Sequence, residues 1–379
     1  MKRALTAVAV MLAVATAAGL AILWPGDTEV RNSLTVDSRK AKVVEVVEAT
    51  CPGFGSQSCQ LATAELTGGP DSGKRVRLQL SAIRSLDPDL DPGDRIRVTE
   101  APEPPAGQEA TAGPAWAFYD FQRGRPMLVL ALFFVAIVLL FARLRGALSL
   151  VGLGASLAVV LLFLVPAILD GKSPLAVAIV GSLAVALITI PLAHGRGSKT
   201  LAAVLGTAAS LLLTALLAWI FTKAAHLTGF SNQEAAYLDL AGADISLEGL
   251  VLAGMVIGAL GVLDDVTVSQ ASTVMAVRSA NPALGFRALF AAAQRVGRDH
   301  VSATVNTLVL AYVGASLPIL LIFSSSDLGF GAALSTEIVA TQVVATLVGS
   351  IGLIAAVPLT TALAAALALS EDDGSGPAA

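Results

Sequence analysis

The sequence predicts an all-α polytopic membrane domain of about eight transmembrane helices, joined to a small, barrel-like extracytoplasmic β domain. Three observations predict this fold class. Hydrophobic residues make up 55% and charged residues only 14% of the 379-residue chain, which is more apolar surface than a soluble fold of this size can bury. Apolar runs of the length that crosses a bilayer recur along the chain. One long polar stretch, with strand-like alternation, separates the first run from the rest.

The same composition excludes several classes of protein. A net charge of −4 gives no sign of polyanion binding, so nucleic acid is excluded as a partner. The sequence contains no Walker A motif, no Gly-x-Ser-x-Gly elbow and no HExxH zinc motif, so we expect neither an enzyme nor a bound cofactor or metal. The expected partners are the lipid bilayer, protons or small ions, and either a second copy or another envelope protein.

The first apolar run, Ala4–Trp24, is either an uncleaved signal anchor or a cleaved signal peptide. The triplet at 15–17 resembles a cleavage site, but apolar residues continue to Leu23, and we expect residues 1–25 to remain as the first helix. The seven further runs lie near residues 126–142, 147–169, 174–194, 200–223, 248–266, 301–323 and 336–368. The last is long enough to tilt or to break at Pro358.

Lysine and arginine residues in the short loops predict the orientation. Alternate short loops carry eight of these residues against two: Arg143, Arg145, Arg196, Lys199, Arg278, Arg287, Arg295 and Arg298, against Lys172 and Lys223. Because cytoplasmic loops are enriched in positive charge, we expect both termini in the cytoplasm of a bacterial cell and the polar stretch outside its cytoplasmic membrane. The membrane domain then spans residues 121–369, and residues 370–379 form a cytoplasmic tail.

The polar stretch reads as a β domain over residues 26–100. KAKVVEVVEA alternates like a strand, and CQLATAEL and KRVRLQL flank a turn-forming cluster, as in a hairpin. A Pro-Gly-Asp turn then leads into a fourth strand. Four or five short strands indicate a small barrel of the OB or a similar type, followed by a Pro/Ala/Gly-rich linker over residues 101–120.

Cys51 and Cys59 are the only cysteines. Because the orientation puts both outside the membrane, in an oxidising compartment, a disulfide between them is expected. The alternative is a pair of free thiols in a loop. A zinc site would need further ligands, and this domain contains no histidine.

Asp264 and Asp265 are the most informative residues of the membrane domain. A carboxylate at the centre of a span costs about 2.5–3.5 kcal/mol, and Asp264 lies 16 residues beyond Glu248, about 6 Å short of the inner edge of the hydrocarbon core. Ser269 shares a helical face with Asp265. The two acids either mark the end of a helix at the interface or line a polar cavity as an ion or proton site.

The next predicted span offers polar groups at the same depth. Asp299 and His300 mark its inner end, and Asn306 lies about 9 Å deeper, so these residues are expected to support the acidic pair. Gln342, on the last span, is expected to line the path. An amphipathic helix near residues 282–298 is expected to lie on the inner membrane surface.

The membrane part resembles the YibE/F-like family of bacterial multi-pass membrane proteins. The resemblance is carried by GALGVLDDVTVSQAS at 258–272, by the segment at 280–318 that contains GRDHVSATVNTLVLAYVG, and by ATLVGSIGLIAAVPLTTALAA at 345–365. It covers roughly residues 120–368. It implies a membrane protein and supplies no catalytic residues.

A weaker likeness to the resistance-nodulation-division superfamily, which includes accessory subunits of the protein-export translocase, implies by analogy that a membrane aspartate relays protons. The sequence therefore supports two hypotheses. The first is an ion- or proton-linked transporter or exporter. The second is a non-transporting sensor or assembly factor whose outer domain binds a partner or an envelope ligand.

Overall fold

The computed structural model describes residues 1–26, 37–50, 58–80, 88–100, 116–231, 245–325 and 329–372. The chain divides into two compact units. One comprises Leu34–Leu140, and the other comprises Met1–Ser33 together with Phe141–Ala379.

The first unit contains a closed five-stranded barrel, as the sequence predicts. Its strands are β1 (Ser38–Thr50), β2 (Ser58–Leu66), β3 (Arg75–Leu80), β4 (Arg95–Glu100) and β5 (Trp116–Phe121). They follow one another round the barrel in the order β1-β2-β3-β5-β4, and β1 closes it by pairing with β4. The β3–β5 pair is parallel and the other pairs are antiparallel. This is the strand order of OB-type barrels.

Alternation of side chains builds the barrel core. Along β3 the residues Val76, Leu78 and Leu80 are buried while their neighbours are exposed or half-buried, because successive side chains of a strand point to opposite faces. Ile96 and Val98 do the same on β4. The strand boundaries therefore follow the alternation visible in the sequence.

The predicted linker at 101–120 ends in a strand. Trp116, Phe118 and Phe121 of β5 pack against the barrel core, since aromatic residues favour strands. The proline- and alanine-rich residues before them conceal this strand in a composition profile. Residues 101–115 and Cys51 lie outside the described residues, as does the side chain of Cys59, so the disulfide stays a prediction.

The remaining elements are helical. Their bounds are α1 (Lys2–Ile22), α2 (Gly124–Val159), α3 (Val165–Leu169), α4 (Pro174–His194), α5 (Ser198–Ala224), α6 (Leu247–Ala280), α7 (Phe286–Ala315), α8 (Leu317–Ser324), α9 (Phe330–Leu334) and α10 (Glu337–Asp372). A π-helical turn, Val160–Leu164, joins α2 to α3.

The described residues contain six helices that are long and apolar enough to span a membrane, or seven if α7 and α8, which meet at 65°, form one bent span. The predicted runs at 126–142 and 147–169 fall within one 46-residue apolar stretch, Gly124–Leu169. That stretch is interrupted at Arg143, whose φ of 51° and ψ of −128° are not helical. The helical membrane domain is therefore established, while the count of eight spans stays a prediction.

The core of the bundle forms where α4, α5, α6, α7 and α10 meet. Leu211, Leu263 and Leu353 are fully buried there. Small residues let the helices approach closely, as is usual in lipid. A Cβ atom on Gly206 of α5 would overlap Thr360 Oγ1 of α10, and a Cβ atom on Gly352 of α10 would overlap Thr214 Oγ1 of α5.

Helix α7 differs from its prediction. The amphipathic segment near 282–298 and the following span form one continuous helix from Phe286 to Ala315, and not a surface helix followed by a separate span. Leu289, Ala293 and Gly297 are buried against the bundle, which holds the first turns in line with the rest. The Asn281-Pro282 pair lies in the turn before the helix, where the Ala283 amide donates to Asn281 Oδ1 at 3.2 Å.

Helix α10 runs through Pro358 without a break. It also extends to Asp372, beyond the predicted end of the membrane domain, so the first residues of the predicted tail are helical.

Candidate functional site

Asp264 and Asp265 line one cavity of about 620 Å³ in the helical unit. Three helices form its walls. The lining residues are Ser149, Gly152, Leu153 and Ser156 of α2; Thr189, Ile190, Ala193 and His194 of α4; and Gly261, Asp264, Asp265, Val268, Ser269 and Ser272 of α6. The two acids therefore share a space with serine and threonine hydroxyls and one imidazole, and Ser269 joins them as predicted from its helical face.

The two carboxylates occupy different environments. Asp264 is half-buried, and Thr189 Oγ1 donates to its Oδ2 at 3.4 Å. Its Oδ1 is buried and has no hydrogen-bond partner among the described residues. Asp265 is exposed to the cavity side of α6. A buried, unpartnered carboxylate oxygen is costly, and a proton or a cation would relieve that cost.

Helix packing fixes the depth of Asp264. Gly249 of α6 lies against Pro174 of α4, and Asp264 meets Thr189. Each partner of the second contact lies 15 residues after its counterpart in the first (189 − 174 and 264 − 249), so α4 and α6 run side by side in one direction. Thr189 is five residues from the end of α4, which places Asp264 about 7.5 Å inside that end.

A second cavity of about 310 Å³ adjoins the first one. The two share Ser149, Ala193 and His194, and the second is also lined by Arg145 and Lys199. His194 lies within range of the charges of Arg145, Lys199 and Asp265. The combined space therefore changes from acidic near α6 to basic at the end of α4.

The other face of α6 is closed by hydrogen bonds. Thr267 Oγ1 and Thr207 Oγ1 of α5 are 2.6 Å apart. Gln270 Nε2 donates to the Ala293 carbonyl oxygen of α7 at 3.0 Å and to Thr361 Oγ1 of α10 at 2.7 Å. These buried polar groups join helices and leave no room for a ligand.

The supporting residues predicted from the sequence do not reach the acidic pair. Asp299, His300 and Asn306 are exposed on α7, and Gln342 is half-buried on α10. The cavity lining includes none of these four residues. The prediction assumed that the α7 span faces the acids, whereas the cavity side of α6 faces α2 and α4. No single sequence can reveal which helix lies opposite a given face.

Sequence reasoning missed Ser149, Ser156, Thr189 and His194 as cavity residues. Serine and threonine are common in membrane helices because they can bond their own backbone, as Thr189 Oγ1 does with the Val185 carbonyl at 2.9 Å. Their presence alone gives no signal of a site. Within the described ranges no group of three or more His, Cys, Asp or Glu side chains is placed to hold a metal ion.

A family model described as "YibE/F-like protein" matches residues 130–370. The chain belongs to the YibE/F-like family. The match covers α4, α5, α6, α7 and α10, so every helix of the bundle core and all residues of the two cavities lie within it. No curated protein and no solved structure matches the chain, and the likeness to the resistance-nodulation-division superfamily is not supported.

For this YibE/F-like protein, the family and the apolar helices together indicate a multi-pass integral membrane protein. The matched region starts after the barrel. The conclusions on function therefore depend on the cavity residues themselves.

Proposed function

We propose that this YibE/F-like protein is a proton- or ion-linked transporter or exporter of the bacterial cytoplasmic membrane, in which Asp264 and Asp265 form the proton or cation site. The observation that supports this proposal most is the cavity itself. Both carboxylates line it, and one buried carboxylate oxygen has no partner among the described residues. Ionisable groups inside membrane segments usually mark ion or proton pathways.

The charges near the cavity favour a proton over a metal cation. Arg145 and Lys199 line the adjoining cavity, and their positive charges would repel an entering cation. His194 borders both cavities, and an imidazole can accept and release a proton near neutral pH. A proton could therefore pass from the basic end to Asp265 and then to Asp264, while Thr189 orients the inner carboxylate.

The orientation remains part of the proposal. Arg145 and Lys199 belong to the loops whose positive charge predicts a cytoplasmic position, so the combined cavity would open to the cytoplasm. The eighth span is included here as well, with Arg143 as the turn between two spans of Gly124–Leu169. No enzymatic reaction is proposed, because transfer of a proton or ion through the cavity needs no bond-forming residue.

Proteoliposomes loaded with a pH-sensitive dye test the proposal. We expect the protein to carry protons when a pH gradient is imposed, and the double variant Asp264→Asn with Asp265→Asn to reduce that flux at least about tenfold, because neither amide can take up a proton. Retention of the flux in a folded double variant would reject the acidic pair as the site.

Glu248→Gln is the matched control. Glu248 is also an acid of α6, but it lies at the opposite end and pairs with Lys223 at 2.9 Å, so its removal should leave proton flux unchanged. A surface pair of this kind contributes only about 0–1 kcal/mol. Equal loss of flux in this control would show that any charge change on α6 disables the protein.

A sensor or assembly factor is the second candidate function, and the barrel favours it. The barrel has its own closed sheet and core within a separate compact unit, which is the organisation of a binding module. Replacing residues 37–121 with a Gly/Ser linker removes all five strands. Proton flux that persists supports the transporter, whereas absence of flux in the wild type, with a partner that copurifies only with the full chain, supports the second candidate.

A further inference from the structure

Helix α7 has a regular exposed stripe that contacts nothing else among the described residues of the bundle. Its members are separated alternately by four and three positions: Arg295, Asp299, Ser302, Asn306, Val309 and Val313. All six are exposed. The opposite side of α7 is occupied, since Leu289, Ala293 and Gly297 are buried and Val301 and Val305 pack on the bundle core.

The spacing is that of a helix-pairing seam. Alternating steps of four and three give a period of 3.5 residues, which keeps one stripe facing a partner helix along its whole length. The stripe covers 18 residue steps, or about 27 Å. It ends at Val313, just before the 65° bend between α7 and α8.

Asn306 makes this stripe unfavourable in contact with lipid. It lies six residues beyond His300, about 9 Å further along the span. Its carboxamide has no hydrogen-bond partner within the described part of the chain. Since a polar group in hydrocarbon must find a partner, the helix that covers this stripe has to offer hydrogen bonds as well as apolar contacts.

We propose that a second copy of this chain covers the stripe, so that α7 pairs with α7 in a parallel dimer. Two copies inserted in one orientation bring identical positions together, and Asn306 then meets Asn306, whose amide can both donate and accept. At the basic end, Arg295 and Asp299 lie one turn apart on the same stripe, so each arginine can reach the aspartate of the other copy. The stripe is therefore complementary to itself in charge and in hydrogen bonding.

Cysteine cross-linking in native membranes tests the pairing. In a background with Cys51→Ala and Cys59→Ala, single cysteines replace Ser302, Asn306, Val309 or Val313, and a mild oxidant is added. We expect covalent dimers at these four positions and at least about fivefold less at Ala311→Cys, an exposed position about 140° away from Asn306 round the helix. Dimers at every position alike, or at none, would overturn the proposal.

A second measurement uses the natural cysteines. Asn306→Val should raise the dissociation constant of the dimer in detergent by about three- to fifteenfold, as measured by light scattering over a concentration series. Thr307→Val is the matched control, because Thr307 is exposed beside the stripe and its hydroxyl already bonds the Ala303 carbonyl at 3.1 Å. A protein that is monomeric at all concentrations, or stripe cysteines that cross-link to a helix of the same chain or to a protein of other mass, would contradict the dimer.

Discussion

Helix α6 carries polar residues on two faces within nine residues, and the two faces have opposite surroundings. On one face, Thr267 and Gln270 are 0% and 4% exposed and bond to α5, α7 and α10. On the other, Asp264 and Asp265 border a cavity, and Asp264 Oδ1 has no partner among the described residues. The first face supports the fold, and the second is free for chemistry.

The difference teaches how to interpret polar residues in a membrane helix. Residue type and depth are similar on both faces, so neither separates structure from function. What separates them is whether the opposite helix supplies partners and close packing. The predictions below test this contrast, beginning with the tightest contact.

The largest loss of stability is expected from Gly206→Ala. A Cβ atom there would overlap Thr360 Oγ1, which is fully buried between α5 and α10, so one helix must shift. Overpacking of this kind costs about 1–3 kcal/mol. Unfolding of the purified protein in a denaturing detergent measures the loss.

Gly254→Ala is the control for this substitution. Gly254 lies on α6, and a Cβ atom there would meet nothing within 4 Å, so the variant should be as stable as the wild type or slightly more stable, because alanine favours helices. Equal destabilisation by both variants would mean that the α5–α10 contact is not the tight one.

A smaller loss is expected from Gln270→Leu. The substitution removes hydrogen bonds to the Ala293 carbonyl and to Thr361 Oγ1, and interhelical bonds in lipid contribute about 0.6–1.7 kcal/mol each. The same unfolding assay should give a loss of about 1–2 kcal/mol. Ser272→Ala, on the cavity face, should change the stability by less than about 0.5 kcal/mol, because its hydroxyl bonds only its own helix, at Val268.

The barrel and the bundle differ in how far the sequence predicts them. Alternation in KRVRLQL predicts β3 almost to the residue, since burial in a strand follows its period of two. The helices of the bundle are also predicted, because apolar length defines a span. The pairing of helices is not predicted, as Asn306 and Gln342 illustrate, because each helix of a bundle has several neighbours.

Boundaries depend on the same local signals. The strand at Trp116–Phe121 follows a proline-rich stretch, and the composition of that stretch extends the predicted linker over it. At Asp264 the sequence does predict the essential property, a carboxylate about a turn and a half inside the membrane. Its actual neighbours, Thr189 and the cavity residues of α2, come only from tertiary packing.

The smallest effect on stability is expected from Asp264→Asn. The carboxylate contributes one long hydrogen bond, from Thr189 at 3.4 Å, and its other oxygen is buried without a partner in the described residues. A neutral amide of the same shape removes the cost of burying charge, so the unfolding free energy should stay within about 0.5 kcal/mol of the wild type or rise. The unfolding assay used for Gln270→Leu makes the comparison direct. If Asp264→Asn were as destabilising as Gln270→Leu, the acid would be a structural residue, and the contrast between the two faces of α6 would fail.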